Sequence, residues 1–344
     1  MQGLIHQIYN LLDSHVDENY RVSVVIVGPP GSGKSTIAEE VCKRLNDEYH
    51  NNVKQSGDNL TLVDGPMCID LTGSIQPITP SLQKEIENNN GIVPSLVEST
   101  DFNPVKCIDS NNAQATVTII GRGGIPNSIY IEKATEKDTD KMILASQIDI
   151  AQIVPMDGFH LSRACLDKFK DPEQAHLRRG SPATFDSNNF AELCRILAKT
   201  AAITPKKVHT DNLWGKIATT FYKDMPDIYV PSFDHAKKDP TIKGILISKF
   251  TRVLIFEGLY LLYDKENWKT VYSTLTDTGA AIFLNISVPE TVLEDRVAHR
   301  HVKSGLVDNL DAGILKFRKN DLLNAKDIAC NTISSDRIQT IENI

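Results

Sequence analysis

The chain has 344 residues, of which 41% are hydrophobic and 24% charged; at roughly 150 residues per domain this makes about two units or one enlarged domain. Lys and Arg number 37 against 44 Asp and Glu, a net charge of −7, which argues against a general nucleic-acid binder, because that affinity comes largely from cations neutralising phosphates. No apolar run reaches the roughly 18–20 residues of a membrane span, the opening residues have no basic signal-peptide region, and six scattered cysteines (42, 68, 107, 165, 194, 330) form no C-x-x-C pair, so free thiols and a cytoplasmic location are expected.

The first predicted element is a helix over residues 3–13, where Leu4, Ile5, Ile8, Leu11 and Leu12 fall on one face. Residues 22–27, "VSVVIV", read as a buried strand that runs into the glycine-rich "GPPGSGKST". A helix is expected over 35–49, with Ile37, Ala38, Val41 and Leu45 inward. From 51 to 140 the texture turns polar and proline-rich. Inside it, "ATVTIIGRGGIPNSIYIEKA" places a Gly-rich turn between two β-rich runs, which predicts a hairpin. A bare ninety-residue loop would be unusual, so 51–140 is read as an α+β insertion subdomain.

Beyond it, "IDIAQIVPMDGFH", "RVLIFEGLYLLYD" and "GAAIFLNISV" read as strands, and "FAELCRILAKTA" as an amphipathic helix. "PETVLEDRVAHRHVKSGL" is expected to be a helix with Pro289 in its first turn, and "GILKFRKNDLLNAKDI" a further helix. Strands alternating with helices predict an α/β core, a three-layer α/β/α arrangement around a mostly parallel sheet. Its expected extent is residues 1–50 and 141–344.

"GPPGSGKST" fits the phosphate-loop pattern G-x-x-x-x-G-K-[ST], and it has the apolar strand before it and the helix after it that the pattern requires. The candidate ATP-binding residues are Gly28, Pro29, Pro30, Gly31, Ser32, Gly33, Lys34, Ser35 and Thr36. The prolines have no N–H to give, so the donors come from Gly31 through Thr36, which includes the first helical turn. Lys34 is placed on the β- and γ-phosphates, and the Ser35 hydroxyl on Mg²⁺.

Asp157 in "VPMDGFHLS" sits where a strand gives out, the place where open α/β sheets bind ligands. A carboxylate there can take or position the proton of an attacking hydroxyl, or it can simply cap a turn. Glu257 in "LIFEGLY" ends another buried strand, and an unpaired carboxylate there would be costly; it is a candidate partner for Mg²⁺ or its waters. Arg296 and Arg300 lie four residues apart on one helix face and are candidates to neutralise charge on the transferred group, on a lid that closes over the site. Arg178 and Arg179 precede Gly180 in a second basic segment. His299 and His301 read as surface histidines on the same helix as Arg300, since no metal-ligand spacing exists around them.

In their order, "GPPGSGKST", "PMDGFHLS", "RRGSPATFD", "VPSFDHAKKDP", "LIFEGLYLL", "RVAHRH" and "NDLLNAKDI" resemble the P-loop kinases related to uridine kinase, phosphoribulokinase and bacterial pantothenate kinase. The chain looks nearest to an ATP-dependent kinase of that group from budding yeasts, and the likeness spans nearly all of it. The resemblance implies that Asp157 is the catalytic base, that Glu257 matches the glutamate of the "EG" strand end, and that Arg300, then Arg296, matches the lid arginine. It implies an acceptor pocket around Asp157, His160, Arg178, Arg179, Asp234 and His235, and adenine near Asn320 to Asp327. The wider group lacks the 51–140 insertion, which leaves that segment open as a surface for a protein partner.

The expectation is therefore an ATP- and Mg²⁺-dependent kinase acting on a hydroxyl of a small-molecule metabolite. The alternative is a P-loop ATPase or an ATP-binding regulatory protein with no such acceptor. A GTPase would need N-K-x-D, whereas residues 324–327 read "NAKD", out of register. A mechanical ATPase would want an acidic pair at the strand end where this chain has Glu257 followed by Gly258.

Overall fold

The computed structural model describes residues 1–57, 60–65, 70–100, 103–108, 116–133, 144–210 and 212–343. In chain order the first elements are α1 (Gln2–His15), β1 (Val22–Val27), α2 (Lys34–Ser56), β2 (Leu62–Val63), α3 (Pro80–Asn88), β3 (Val105–Ile108), β4 (Thr116–Gly121) and β5 (Gly124–Glu132). Next come β6 (Ala151–Pro155), α4 (Arg163–Leu166), α5 (Pro172–Leu177), α6 (Ser187–Ala201), α7 (Leu213–Ala218), β7 (Phe221–Tyr222), β8 (Asp227–Asp234), β9 (Asp239–Ile247) and β10 (Val253–Gly258). The last are α8 (Lys269–Thr276), β11 (Ala281–Ser287), α9 (Glu290–Lys303), α10 (Leu310–Lys316), α11 (Leu322–Cys330) and β12 (Ile338–Glu342).

The central sheet has the order β12-β11-β1-β10-β6, and every pairing in it is parallel. Its middle strand is buried at every position, because side chains alternate across a strand and both faces are covered. Val22, Val24 and Ile26 pack with residues of α1, α2 and α7 on one face. Val25 and Val27 join Leu254, Phe256 and residues of α6 and α8 on the other. The molecule is thus an α/β protein, with helices on both sides of a parallel sheet.

Register then places the chemistry. Ile26 pairs with Glu257, and Glu257 pairs with Pro155. The loop after β1, the carboxylate of β10 and the turn after β6 therefore emerge along one edge of the sheet.

A second sheet, β3-β4-β5-β8-β9, is antiparallel throughout. It takes three strands from the 51–140 segment and two from 227–247. Val117, Ile119, Ile129 and Ile131 of this sheet share a core with Phe190, Leu193 and Leu197 of α6. β4 and β5 meet through the two-residue turn Arg122–Gly123, with Gly121 opposite Gly124.

Helix limits differ from the sequence expectation for identifiable reasons. α2 continues to Ser56 because Tyr49 and Val53 extend the buried stripe of Ala38, Val41 and Leu45, and Gly57 then ends it at φ 69°. Pro289 is the residue before α9 rather than in its first turn. Between α10 and α11 the backbone widens into a π-helical turn over Phe317–Asp321, so the single helix read there is interrupted. Cys42, Cys107, Cys165, Cys194 and Cys330 are free thiols, and Cys68 lies outside the described residues. No helix among the described residues is long and apolar enough to cross a membrane.

Candidate active site

The phosphate loop is shaped by close approaches that only glycine allows. Gly31 and Gly33 have φ of 83° and 84°, in the left-handed region that disfavours side chains. A Cβ on Gly31 would stand 2.8 Å from Val297 Cγ2, and one on Gly33 would stand 2.7 Å from Asn343 Nδ2. The Ile37 N–H donates to the Gly33 carbonyl at 3.0 Å and closes the first turn of α2. The amides of Lys34, Ser35 and Thr36 therefore precede any intrahelical bond and form the positive end of the helix.

The loop carbonyls are turned the other way. Asn343 Nδ2 donates to the Ser32 carbonyl at 2.8 Å. In a planar trans peptide the N–H of the next residue points opposite to that carbonyl, so the Gly33 amide points away from Asn343. Arg296 Nη1 adds longer hydrogen bonds to Gly31 O (3.5 Å) and Asn343 O (3.4 Å). The Ser32 hydroxyl is buried inside the loop with no partner. Asn343 was missed in the sequence, since nothing nearby marks an asparagine beyond the last strand as a neighbour of a loop some 300 positions earlier.

Three predicted groups meet at the start of α2. Ser35 Oγ donates to Glu257 Oε1 at 3.0 Å, and Lys34 Nζ lies 3.5 Å from the same oxygen. Burial pushes the Glu257 carboxyl above the ordinary glutamate range, Lys34 pulls it back, and the nearby Asp157 charge pushes it up again. A hydroxyl and a carboxylate side by side form an oxygen set suited to a hard cation that keeps water and phosphate among its other ligands. Ser35 and Glu257 thus fit the role of holding Mg²⁺, and Lys34 pairs with the same carboxylate.

Asp157 stands across from them. A cleft of about 300 Å³ is lined by Ser35, Gln152, Asp157, Phe233, His235 and Glu257, among others. Asp157 lies in a 3₁₀ turn, Met156–Phe159, directly after β6. His160 Nε2 is 3.9 Å from Asp157 Oδ1, and the ring stacks on Phe185 at 4.0 Å between centroids. Burial lowers the His160 pKa to about 4, with Asp157 opposing and Arg179 and His235 reinforcing the drop. The imidazole is therefore neutral near pH 7.

The remaining predicted residues are placed differently. Arg178 donates to Asn320 Oδ1 and Asn324 Oδ1, both at 2.9 Å, and so ties its loop to the segment that leads into α11. Arg179 bonds Leu161 O at 2.9 Å, Asp239 Oδ1 at 3.1 Å and the Lys238 carbonyl, and it lies over the Phe233 ring. Asp234 Oδ1 accepts from the amides of Ala236 and Lys237 and caps the β8–β9 turn. These three side chains frame the cleft without lining it. The helix expected as a lid, α9, lies packed on the phosphate loop through Val297. On it Arg296 faces the loop and Arg300 is exposed. His301 is a correction to the surface reading: it is 6% exposed, with Nε2 3.5 Å from Asp321 Oδ2, because α10 and the π-helical turn cover that face.

No family model matches the chain. It is 47% identical over 357 residues to the ATP-dependent kinase YFH7 of Vanderwaltozyma polyspora, covering 100% of this chain and 99% of that protein. It is also 47% identical over 348 residues to the ATP-dependent kinase YFH7 of Saccharomyces cerevisiae strain S288c, covering 99% and 98%. The crystal structure of the S. cerevisiae YFH7, described as a P-loop containing kinase with a circular permutation, superposes with a TM-score of 0.89 and covers 100% of this chain and 99% of that one. A fructose transport system kinase from Silicibacter sp. TM1040, 20% identical, superposes with a TM-score of 0.53 over 98% of this chain and 97% of that one, and shares the fold alone. The chain belongs to the YFH7 family of ATP-dependent kinases.

Proposed function

We propose that this member of the YFH7 family transfers the γ-phosphoryl group of ATP to a hydroxyl of a small-molecule metabolite, with Mg²⁺ held by Ser35 and Glu257. The observation that carries the reading is that Asp157 lines one cleft together with Ser35 and Glu257, close enough for its charge to act on the Glu257 carboxyl. A second carboxylate beside the metal-side residues, in a cleft of about 300 Å³, supports a site that takes an acceptor hydroxyl over one that only binds nucleotide.

In this reading the terminal phosphates lie along the amides of Gly33 to Thr36, and Lys34 leaves Glu257 to bridge them. Ser35 and Glu257 would hold the cation, which when bound would supply charge screening between the phosphates. Asp157 accepts the acceptor's hydroxyl proton as its oxygen bonds the γ-phosphorus and the bond to the β-phosphate oxygen breaks, releasing ADP. Most of the rate then comes from placement and charge stabilisation rather than covalent chemistry by the protein. Phe233 and His235, packed edge to face at 5.2 Å between centroids, supply an aromatic corner for the acceptor, beside the neutral His160.

The test is incubation with γ-labelled ATP, Mg²⁺ and a cell-derived metabolite extract, followed by separation of the labelled products. A labelled organic phosphate that requires the enzyme is expected. Label appearing solely as inorganic phosphate would favour the ATPase reading instead.

A further inference from the structure

The turn that carries Asp157 is held by a hairpin that lies 31 to 33 positions earlier in the chain. Residues 157–161 and 183–186 run beside each other: Leu161 N–H donates to Thr184 O at 2.9 Å, and Asp186 N–H donates to Phe159 O at 2.8 Å. These bonds leave the carbonyls of Gly158, His160, Ala183 and Phe185 to be satisfied; Gly158 and Phe185 are buried and His160 partly so, where an unpaired carbonyl is costly, while Ala183 is exposed. All four find donors in the β4–β5 hairpin. Asn127 Nδ2 donates to Gly158 O at 3.0 Å and to His160 O at 2.9 Å. Arg122 donates to Phe185 O at 2.9 Å and to the Ala183 carbonyl.

The hairpin is built to make this reach. Arg122 and Asn127 are 2% and 0% exposed. Asp186 accepts from the Gly123 amide at 2.8 Å and faces the Arg122 guanidinium. A Cβ on Gly123 would fall 2.0 Å from Asn127 Oδ1, and one on Gly121 would fall 2.4 Å from Asp186 Oδ2, so the glycines of "GRGG" are what let the tip close on these side chains. Asn189 Nδ2 fixes the Asn127 backbone by donating to its carbonyl at 2.7 Å. Because both neighbours of the Asn127 carboxamide are carbonyl oxygens, its NH₂ must face them, and its Oδ1 is left buried without a partner. An asparagine kept at that cost is there for its two donors.

We propose that Asn127 is a positioning residue for phosphoryl transfer: by clamping Gly158 and His160 from the hairpin it fixes where the Asp157 carboxylate stands in the cleft. The inference rests on the reading of Asp157 as the base. It also gives the 51–140 segment a task inside the enzyme, since its hairpin completes the acceptor side of the site.

The test compares wild type with Asn127→Asp and Asn127→Ala, using γ-labelled ATP and the metabolite extract, with Mg·ATP affinity and thermal melting measured on the same samples. Asn127→Asp keeps the shape but turns a carboxylate toward two carbonyls. The expected result is a fall in transfer of about 10²-fold per folded molecule, the cost of a misplacement near 1 Å, with Mg·ATP affinity within about twofold of wild type. Transfer by Asn127→Asp relative to wild type should recover as pH falls, because a protonated carboxyl regains one donor. Lower melting temperatures with unchanged transfer per folded molecule would make Asn127 merely structural and overturn the inference. If wild type labels no metabolite, the kinase reading fails and takes this inference with it. If wild type and the Asn127 variants transfer label equally while Asp157→Asn does not, the reading stands and the inference alone falls.

Discussion

Across the cleft the phosphate loop and the acceptor loops are held in unlike ways. Residues 28–36 are contiguous, take their shape from glycine backbone, and present amides that belong to the helix they begin. The acceptor side proposed above is assembled from 157–161, 183–186 and the tip at 122–127, and it is joined by hydrogen bonds between residues that are 23 (Leu161 to Thr184) to 63 (Gly123 to Asp186) positions apart. One half is a local property of a short sequence. The other exists once the hairpin has docked. The difference implies that damage to the second half should travel between distant loops, while damage to the first should stay in nucleotide binding.

The sharpest separation comes from Asp157→Asn and Lys34→Ala. Asp157→Asn should lower transfer to the acceptor by about 10³-fold while Mg·ATP affinity stays within about twofold. Lys34→Ala should lower turnover by about 10²–10³-fold and also weaken ATP binding. Equilibrium nucleotide binding and single-turnover transfer, measured side by side, distinguish the two. Equal effects on both measurements in both variants would erase the contrast.

The two arginines of α9 refine it. Arg296 bonds the loop itself, so Arg296→Ala should weaken ATP affinity and turnover together, each by about tenfold, since a hydrogen bond to a charged group contributes about 1.5 kcal/mol. Arg300 is exposed, and among the described residues no hydrogen bond or ion pair holds its guanidinium. Arg300→Ala should therefore lower turnover more than ATP affinity, as expected for a group that meets the phosphoryl in the transition state.

Gly158 probes the acceptor half without touching charge. A Cβ there would lie 2.0 Å from the Pro231 carbonyl oxygen, so the turn has to shift. Gly158→Ala should cost about 1–3 kcal/mol of stability, read by denaturant unfolding, and should slow transfer with no change in ATP affinity.

The smallest effect is confined to acid. His160 binds its proton near pH 4 when folded against 6.5 when unfolded. Between those values the unfolded chain holds more protons, so stability rises with pH. The contribution is complete above about pH 6.5 and is lost as pH falls toward 4, by at most about 3 kcal/mol. Unfolding free energies of wild type should drop more steeply over this range than those of His160→Gln.

What could be read from the chain follows the same division. The strand "VSVVIV", its glycine loop and the helix after it needed only local pattern, and Glu257 stood out as a carboxylate ending an apolar run. Asp157 was marked by its place after a strand. The tasks of Arg178 and Arg179 were not legible, because their partners Asn320, Asn324 and Asp239 are brought to them by the fold, whereas Asp234 caps amides only two and three residues on, a local turn role that the pocket reading passed over. β9 and β12 lacked a strand signal for a related reason. β9 begins "DPTIKG" with four exposed positions in a row, as an edge strand can, and β12 is five partly exposed residues paired to β11. Asn127 carried no signal at all, since asparagine between Pro126 and Ser128 reads as turn chemistry.

The central claim is that Asp157 faces the terminal phosphate across the cleft. A crystal structure with Mg²⁺ and a non-hydrolysable ATP analogue tests it most directly. The γ-phosphate should lie on the amides of Gly33 to Thr36, with Ser35 and Glu257 on the metal or its waters and the Asp157 carboxylate within one bridging water of the γ-phosphate. An Asp157 carboxylate turned out of the cleft in the closed, nucleotide-bound enzyme would contradict it.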